Sequence, residues 1–213
     1  MSCLHRKKSG LKNIYLRIKR EDELELSTPP NFTESDAKRF LREKEGWIER
    51  KASHLKEFCR SNPKSYYAGC SLWFLGRRYS VELKRAKRSS LSLESDRFIY
   101  AACESSKFYD IVEKFYKKSA AEIVLKRVSY WSDKMNLFPK EVRFRRYKSR
   151  WGCCSKDDVI TLNTALLRYD LKLIDYVIIH ELAHIRYKNH KKEFWNLVGK
   201  FEPEYKSLRE RLV

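Results

Sequence analysis

Polar and apolar residues alternate near the start of the chain. From Asn13 to Lys19, Ile14, Leu16 and Ile18 share one face; the charged triplet Glu21-Asp22-Glu23 interrupts, and Leu24 and Leu26 resume the pattern. That is the signature of a hairpin. Pro29-Pro30 ends it. Thr33 with Asp36 three residues on resembles a helix-start capping pattern. Phe40, Leu41, Trp47, Ile48 and Leu55 then form a helical stripe to about Phe58, and Ser61-Asn62-Pro63 breaks it. Short strands are expected at Leu72 to Phe74, Tyr79 to Leu83, Leu91 to Leu93 and Phe98 to Ala101, with Gly76 as a turn signal between the first two.

A long helix is expected from about Ser106 to Met135, on the apolar positions Ile111, Val112, Phe115, Ile123, Val124 and Val128. Pro139 closes that region. Val142 to Tyr147 and Val159 to Asn163 read as strands, with Ser149-Arg150-Trp151-Gly152-Cys153-Cys154-Ser155 as the linker between them. Leu171 to Tyr187 is apolar on more than one face, the pattern of a buried central helix. Two shorter helices follow, around Lys191 to Gly199 and from Pro203, a residue suited to a first helical turn. The fold class is α+β: a β-rich N-terminal region over residues 1–103, then an α+β C-terminal domain over residues 104–213 built on the buried central helix.

The central helix carries His180-Glu181-Leu182-Ala183-His184. Helical positions four apart lie only about 40° apart around the axis, so both imidazoles face one way. Two nitrogen ligands at that spacing suit a tetrahedral zinc ion. Glu181 follows the first ligand, where it reaches a metal-bound water without being a ligand. It would accept that water's proton and pass it to the leaving group; zinc lowers the pKa of such a water to about 7.

One zinc ion needs a third protein ligand, and His190 is the candidate. A continued helix would put it about 240° away from His184, so the helix has to end between them. Tyr187-Lys188-Asn189 is the expected ending, because asparagine tolerates the left-handed conformation that stops helices. If His190 is instead an ordinary exposed histidine, Glu193, Glu202 and Glu204 are the reserve ligands.

Residues around this centre have two readings each. Asn163 ends a strand whose exposed edge could pair with an extended peptide, or is an ordinary sheet residue. Arg150 steadies an oxyanion or phosphate, or is a surface arginine. Tyr187 and Tyr205 donate to a transition-state oxyanion, or pack, as Trp151 and Trp195 do. Arg143 and Arg145 point together with Tyr147, as a polyanion track or as a solvated strand face.

Composition adds compartment and charge. With 42% hydrophobic and 14% aromatic residues the 213-residue chain is globular. No apolar run approaches the ~20 residues needed to span a bilayer, and no apolar signal segment follows the basic start. Six cysteines form no C-x-x-C pair, which fits free thiols in a reducing compartment. A cytoplasmic protein with no membrane partner is expected. The net charge of +19 has two readings: it attracts polyanions as partners (nucleic acid, nucleotides or acidic peptides), or it is a solvated lysine-rich surface.

Several runs together carry a family resemblance: Ser149-Arg150-Trp151-Gly152, Ile160-Thr161-Leu162-Asn163, Asp175 to His184, Asn189-His190-Lys191-Lys192-Glu193-Phe194-Trp195 and Pro203-Glu204-Tyr205. They resemble the YgjP-like zinc metallopeptidases, relatives of the SprT/Spartan type. The N-terminal hairpin, the Trp47-Ile48 helix and the Leu75-Gly76-Arg77 turn resemble the same family more loosely. The resemblance implies a zincin-like site with His180, His184 and His190 as ligands and Glu181 as the catalytic residue. Cys153 departs from the family's usual serine, as a space-filler or a further metal contact. The histidine spacing also matches the metzincin pattern, but Tyr187 replaces its glycine.

The expected function is a zinc-dependent hydrolase acting on peptide or protein. A metal-dependent phosphohydrolase of nucleotides and a nucleic-acid-binding protein with structural zinc are the alternatives. Loss of hydrolysis in Glu181→Gln, with metal retained, separates catalysis from structure.

Overall fold

The N-terminal alternation becomes a sheet of three strands. In the computed structural model, which describes residues 2–20, 23–60, 69–102 and 108–212, β2 (Tyr15–Arg20) runs antiparallel to β3 (Glu23–Thr28). On the other side of β3, β1 (Ser2–Lys7) runs parallel to it. Leu24 and Leu26 are buried on this central strand. Next comes α1 (Glu34–Glu43), whose start is a full capping box. The Thr33 hydroxyl accepts from the Asp36 N–H, and the Asp36 carboxylate accepts from the Thr33 N–H. The expected single helical stripe is in fact two helices. The chain breaks at Lys44 (φ −98°, ψ 4°) and resumes as α2 (Glu45–Arg60).

The chain divides into two compact units, Met1–Arg60 and Ser61–Leu212. The expected boundary near residue 103 put the next four strands with the first unit; they belong to the second. Their packing explains it. β4 (Ser71–Phe74), β5 (Arg77–Arg85), β6 (Ser90–Glu94) and β7 (Arg97–Ala102) form a sheet in the order β4-β5-β7-β6. Its inward residues Leu72, Phe74, Phe98 and Tyr100 share one core with the helices of the second unit.

Those helices begin with α3 (Phe108–Ser119), which passes through a π-helical turn at Ala120–Val124 into α4 (Leu125–Met135). Asn136 ends the run in a left-handed conformation. A second sheet has the order β8-β10-β9, from β8 (Glu141–Arg145), β9 (Gly152–Cys154) and β10 (Val159–Asn163). The expected linker thus contains a short strand, and β10 is central. Parallel β8 takes one edge and antiparallel β9 the other. The expectation that the strand ending at Asn163 offers a free edge is therefore corrected. An outer edge belongs to β9.

At the centre lies α5 (Leu171–Arg186), with Leu173, Ile174, Tyr176, Val177, Ile178, Ile179, Leu182 and Ala183 all buried. Asp170 caps it by accepting from the Leu173 N–H at 3.0 Å. The β4–β5 turn seats this cap. Leu75 and Gly76 donate to the carbonyls of Leu167 and Arg168, and both have positive φ (49° and 78°). A Cβ on Gly76 would come within 2.8 Å of the Asp170 Cβ, so glycine is needed for space as well as for conformation. Arg127 of α4 grips buried Asp175 of α5 through both guanidinium branches. Finally α6 (Lys192–Phe201) and α7 (Tyr205–Arg211) follow; Pro203 precedes α7 rather than lying in its first turn.

The turn at Glu21 and Asp22, the breaker Ser61-Asn62-Pro63, the expected helix start at Ser106 and Cys103 lie outside the described residues. Cys3, Cys70, Cys153 and Cys154 are free thiols. Among the described residues, no helix is long and apolar enough to cross a membrane.

Candidate metal centre

His180 and His184 project from α5, four residues apart on one face, with ring centres 5.0 Å apart. The helix stops just after them, at Tyr187 (φ −126°, extended). The expected left-handed asparagine ending is not what stops it. Asn189 instead accepts the Lys191 N–H on its side-chain oxygen at 3.2 Å, turning the chain into α6. That turn brings His190 back over the helix. Its Nε2 stands 3.1 Å from His180 Nε2, and its ring lies 4.6 Å from that of His184.

One ligand atom from each of the three histidines lies within 4.8 Å of the others. No other such cluster of three histidine, cysteine or carboxylate groups occurs among the described residues. Two nitrogens about 2.0–2.1 Å from a tetrahedral ion stand about 3.3 Å apart. The His180–His190 separation therefore fits a shared cation. Buried His180 Nδ1 has no hydrogen-bond partner. The Nδ1 of His184 faces the Tyr187 carbonyl at 2.9 Å, which fixes that ring and leaves its Nε2 free. Burial pushes His180 down to about 3, with the neighbouring His184 and His190 adding to it. Burial also lowers His184, against the pull of the Tyr187 carbonyl, and lowers His190 with help from Arg209. Neutral imidazoles are the form that donates to a metal.

Glu181 is only 5% exposed. Its carboxylate lies on the backbone of Gly152 in β9: a Cβ there would stand 2.6 Å from Glu181 Oε1 and 2.7 Å from its Cγ. Oε2 is buried without a hydrogen-bond partner. Burial drives this carboxyl up to about 8, while the Arg150 charge pulls the other way.

The flanking residues sort by contact. Asn163 is 4% exposed and fully engaged. Its amide donates to the carbonyls of Tyr147 and Arg150 (3.1 and 2.8 Å), and its oxygen accepts from the Ala165 N–H. It thus ties down the loop leading to Gly152. Exposed Arg150 lies over the Tyr147 ring at 5.6 Å. The ring of Tyr187 packs partly buried against the core. Trp151 meets Tyr169 edge-on, and Trp195 is stacked between His190 (5.6 Å) and Tyr205 (5.2 Å). Sequence reasoning missed three features: the role of Gly152, strand β9, and a clamp at Lys188. Lys188 Nζ reaches the Ser155 carbonyl at 2.9 Å and Asp158 Oδ1 at 2.6 Å, tying the loop of His190 to the β9–β10 turn. Trp-Gly in the linker was the available signal for the first.

Comparison with known proteins narrows the reading. No curated protein matches the chain. Among solved structures, the metallopeptidase zymogen of Pyrococcus abyssi abylysin is 30% identical. The match covers 42% of this chain and 91% of that one, at a TM-score of 0.39. The metallopeptidase zymogen of Methanocaldococcus jannaschii jannalysin is 22% identical over 40% of this chain and 89% of that one, at a TM-score of 0.37. The model of the YgjP-like metallopeptidase domain matches residues 12–213, nearly the whole chain and all of the histidine site. By that match the chain belongs to the YgjP-like family, a family of metallopeptidase domains.

Proposed function

We propose that His180, His184 and His190 hold one zinc ion and that Glu181 carries protons during hydrolysis of a peptide bond, in a zincin-like unit. The observation that carries this reading is the convergence of three imidazoles beside a buried carboxylate, with 3.1 Å between two of their nitrogens. The residues fit the ion in chemistry as well. All three ligands are nitrogen donors, a set found in catalytic zinc sites that keep a fourth position open. Bound there, zinc would supply Lewis acidity, lowering the pKa of water to about 7 and polarising a carbonyl.

The remaining work falls to the chain. Glu181 is pressed against Gly152 and shielded from solvent, so its carboxyl is a poor permanent anion and a good proton carrier. It takes a proton from the attacking water and hands it to the leaving nitrogen. Strand β9 lies against Glu181 of α5 at Gly152, and an extended polypeptide pairing with its outer edge would run beside that carboxylate. Arg150 and Tyr187 flank that path as substrate contacts. Asn163 acts one step back, by holding the carbonyls of Tyr147 and Arg150.

The test is Glu181→Gln in the full chain, with metal content and peptide hydrolysis measured on the same preparation. The expected result is one equivalent of zinc retained and hydrolysis lost. An unchanged rate, or a native protein that takes up no divalent metal, overturns the reading. Nucleoside triphosphates in the same assay should release no phosphate.

A further inference from the structure

Away from the histidines, a cavity of about 430 Å³ opens between α3 and the end of β8. Its wall carries Lys114 and Lys117 from α3, and Arg145 and Arg146 from the end of β8 onward. Two acids also face it, Asp110 and Glu113. Glu113 is already engaged from the protein side: Arg168 and Arg146 stand 3.5 and 3.6 Å from its Oε1, and the Thr164 hydroxyl donates to its Oε2. Lys114, Lys117 and Arg145 pair with no carboxylate within 4.0 Å among the described residues, and all three are exposed. The cavity therefore presents three available cations against one aspartate.

We propose that this cavity is an exosite for an acidic segment of the polypeptide substrate, bound through its carboxylates by Lys114, Lys117 and Arg145. The inference rests on the peptidase reading and deepens it by naming a substrate class.

Position supports it. Arg145 and Arg150 both lie over the Tyr147 ring, at 5.7 and 5.6 Å, so a run of positive charge leads from the cavity towards Gly152 and Glu181. Gly152 is six positions after Arg146, and an extended chain covers at most about 20 Å in that length. A substrate of similar length can fill the cavity and still reach Glu181. The lining favours carboxylates over a nucleic-acid backbone. Three available cations against one aspartate match a few carboxylates better than the phosphate carried by every residue of a bound nucleic-acid strand. A single carboxylate side chain can settle between Lys114 and Lys117, which share a face three residues apart on α3.

The experiment is fluorescence polarisation on the full-length protein, metal-free and zinc-loaded. The probe is a short labelled peptide with three adjacent glutamates, beside its glutamine counterpart. The expected result is about tenfold tighter binding of the glutamate peptide, lost at high salt, and about tenfold weaker binding in the Lys114→Ala/Lys117→Ala/Arg145→Ala variant. The control Arg85→Ala/Lys87→Ala should bind as wild type. Glu181→Gln should also bind as wild type, which separates the exosite from the catalytic assignment. The exposed Lys117→Glu variant, checked for an unchanged melting temperature, gives the same readout if the triple variant fails to fold. The triple variant should cleave a short uncharged peptide at the native rate. Equal binding of the two peptides, or indifference to the substitutions, overturns the proposal. So does an oligothymidylate that binds more tightly than the glutamate peptide and is lost with the same three side chains.

Discussion

Gly152 and Glu181 touch so closely that the space for a Cβ is taken by the glutamate's own side chain. An added methyl would lie 2.6 Å from Oε1, 2.7 Å from Cγ and 2.8 Å from Cδ. No φ strain is involved; the requirement is room. Gly152→Ala should therefore push the Glu181 carboxylate off its seat while leaving the three imidazoles in place. A displacement of about 1 Å at a reacting group can cost about a hundredfold in rate. The expected outcome is a fall of that order in kcat for peptide cleavage, with zinc content unchanged by atomic absorption. Wild-type activity in Gly152→Ala would show that Glu181 is not the proton carrier at that position.

The clamp at Lys188 allows a second test. Its ion pair with Asp158 is partly exposed, with side chains 44% and 35% accessible, and such pairs contribute at most about 1 kcal/mol to stability. Yet Lys188 sits two residues before His190 and ties that loop to the β9–β10 turn. Lys188→Ala should leave the melting temperature nearly unchanged and weaken metal binding by about tenfold, as loss of an outer support does elsewhere. Competition with a chromophoric chelator measures the second quantity. Equal affinity in the two proteins would mean the His190 loop holds itself.

How much of this was visible in the sequence depends on how local each cause is. The histidine helix was legible because its signals are local: a long apolar run on more than one face, and two histidines four positions apart. The capping box at Thr33 was legible for the same reason. What failed depended on distant partners. Gly152 is a glycine because of Glu181, 29 positions later; the turn at Gly76 was legible, but its contact with Asp170 was not. Strand β9 spans only Gly152–Cys154, too short for alternation to register, so β10 looked like an edge when it is central. Asn189 was expected to end the helix through its backbone, but it contributes through its side chain, and Tyr187 ends the helix in an extended conformation.

Asn163 gives a prediction about folding rather than chemistry. Its buried side chain makes three hydrogen bonds: it donates to the loop carbonyls of Tyr147 and Arg150, and it accepts from the Ala165 N–H, capping the following 3-10 turn. Asn163→Ala deletes all three and leaves the two loop carbonyls without those donors. At about 1 kcal/mol or more per bond, the loss should total about 2–4 kcal/mol in urea unfolding. Asn163→Asp keeps the cap acceptor but sets a carboxylate oxygen against the two carbonyls in a buried site, so it should cost at least as much as Asn163→Ala at neutral pH. A wild-type urea midpoint in Asn163→Ala would refute the anchoring role.

The last prediction concerns acid. Asp170 caps the histidine helix and pairs with Arg211 of α7. Burial alone would raise its pKa. The Arg211 guanidinium and the Leu173 N–H outweigh that, and the net direction is below the ordinary aspartate value of 3.8. The folded pKa thus lies below the unfolded one. Stability from this group is fully present above 3.8 and is lost as pH falls through the folded value, once the carboxyl protonates in both states. Asp170→Asn should therefore melt at a lower temperature than wild type near neutral pH. The gap should begin to shrink as pH drops below 3.8, because the unfolded chain then binds the proton while the native carboxylate is still charged, and it should close once the native carboxylate is neutral too. Thermal melts of both proteins along an acid series measure it. A gap that stays constant into acid would mean the helix start depends on the shape of the side chain and not on its charge.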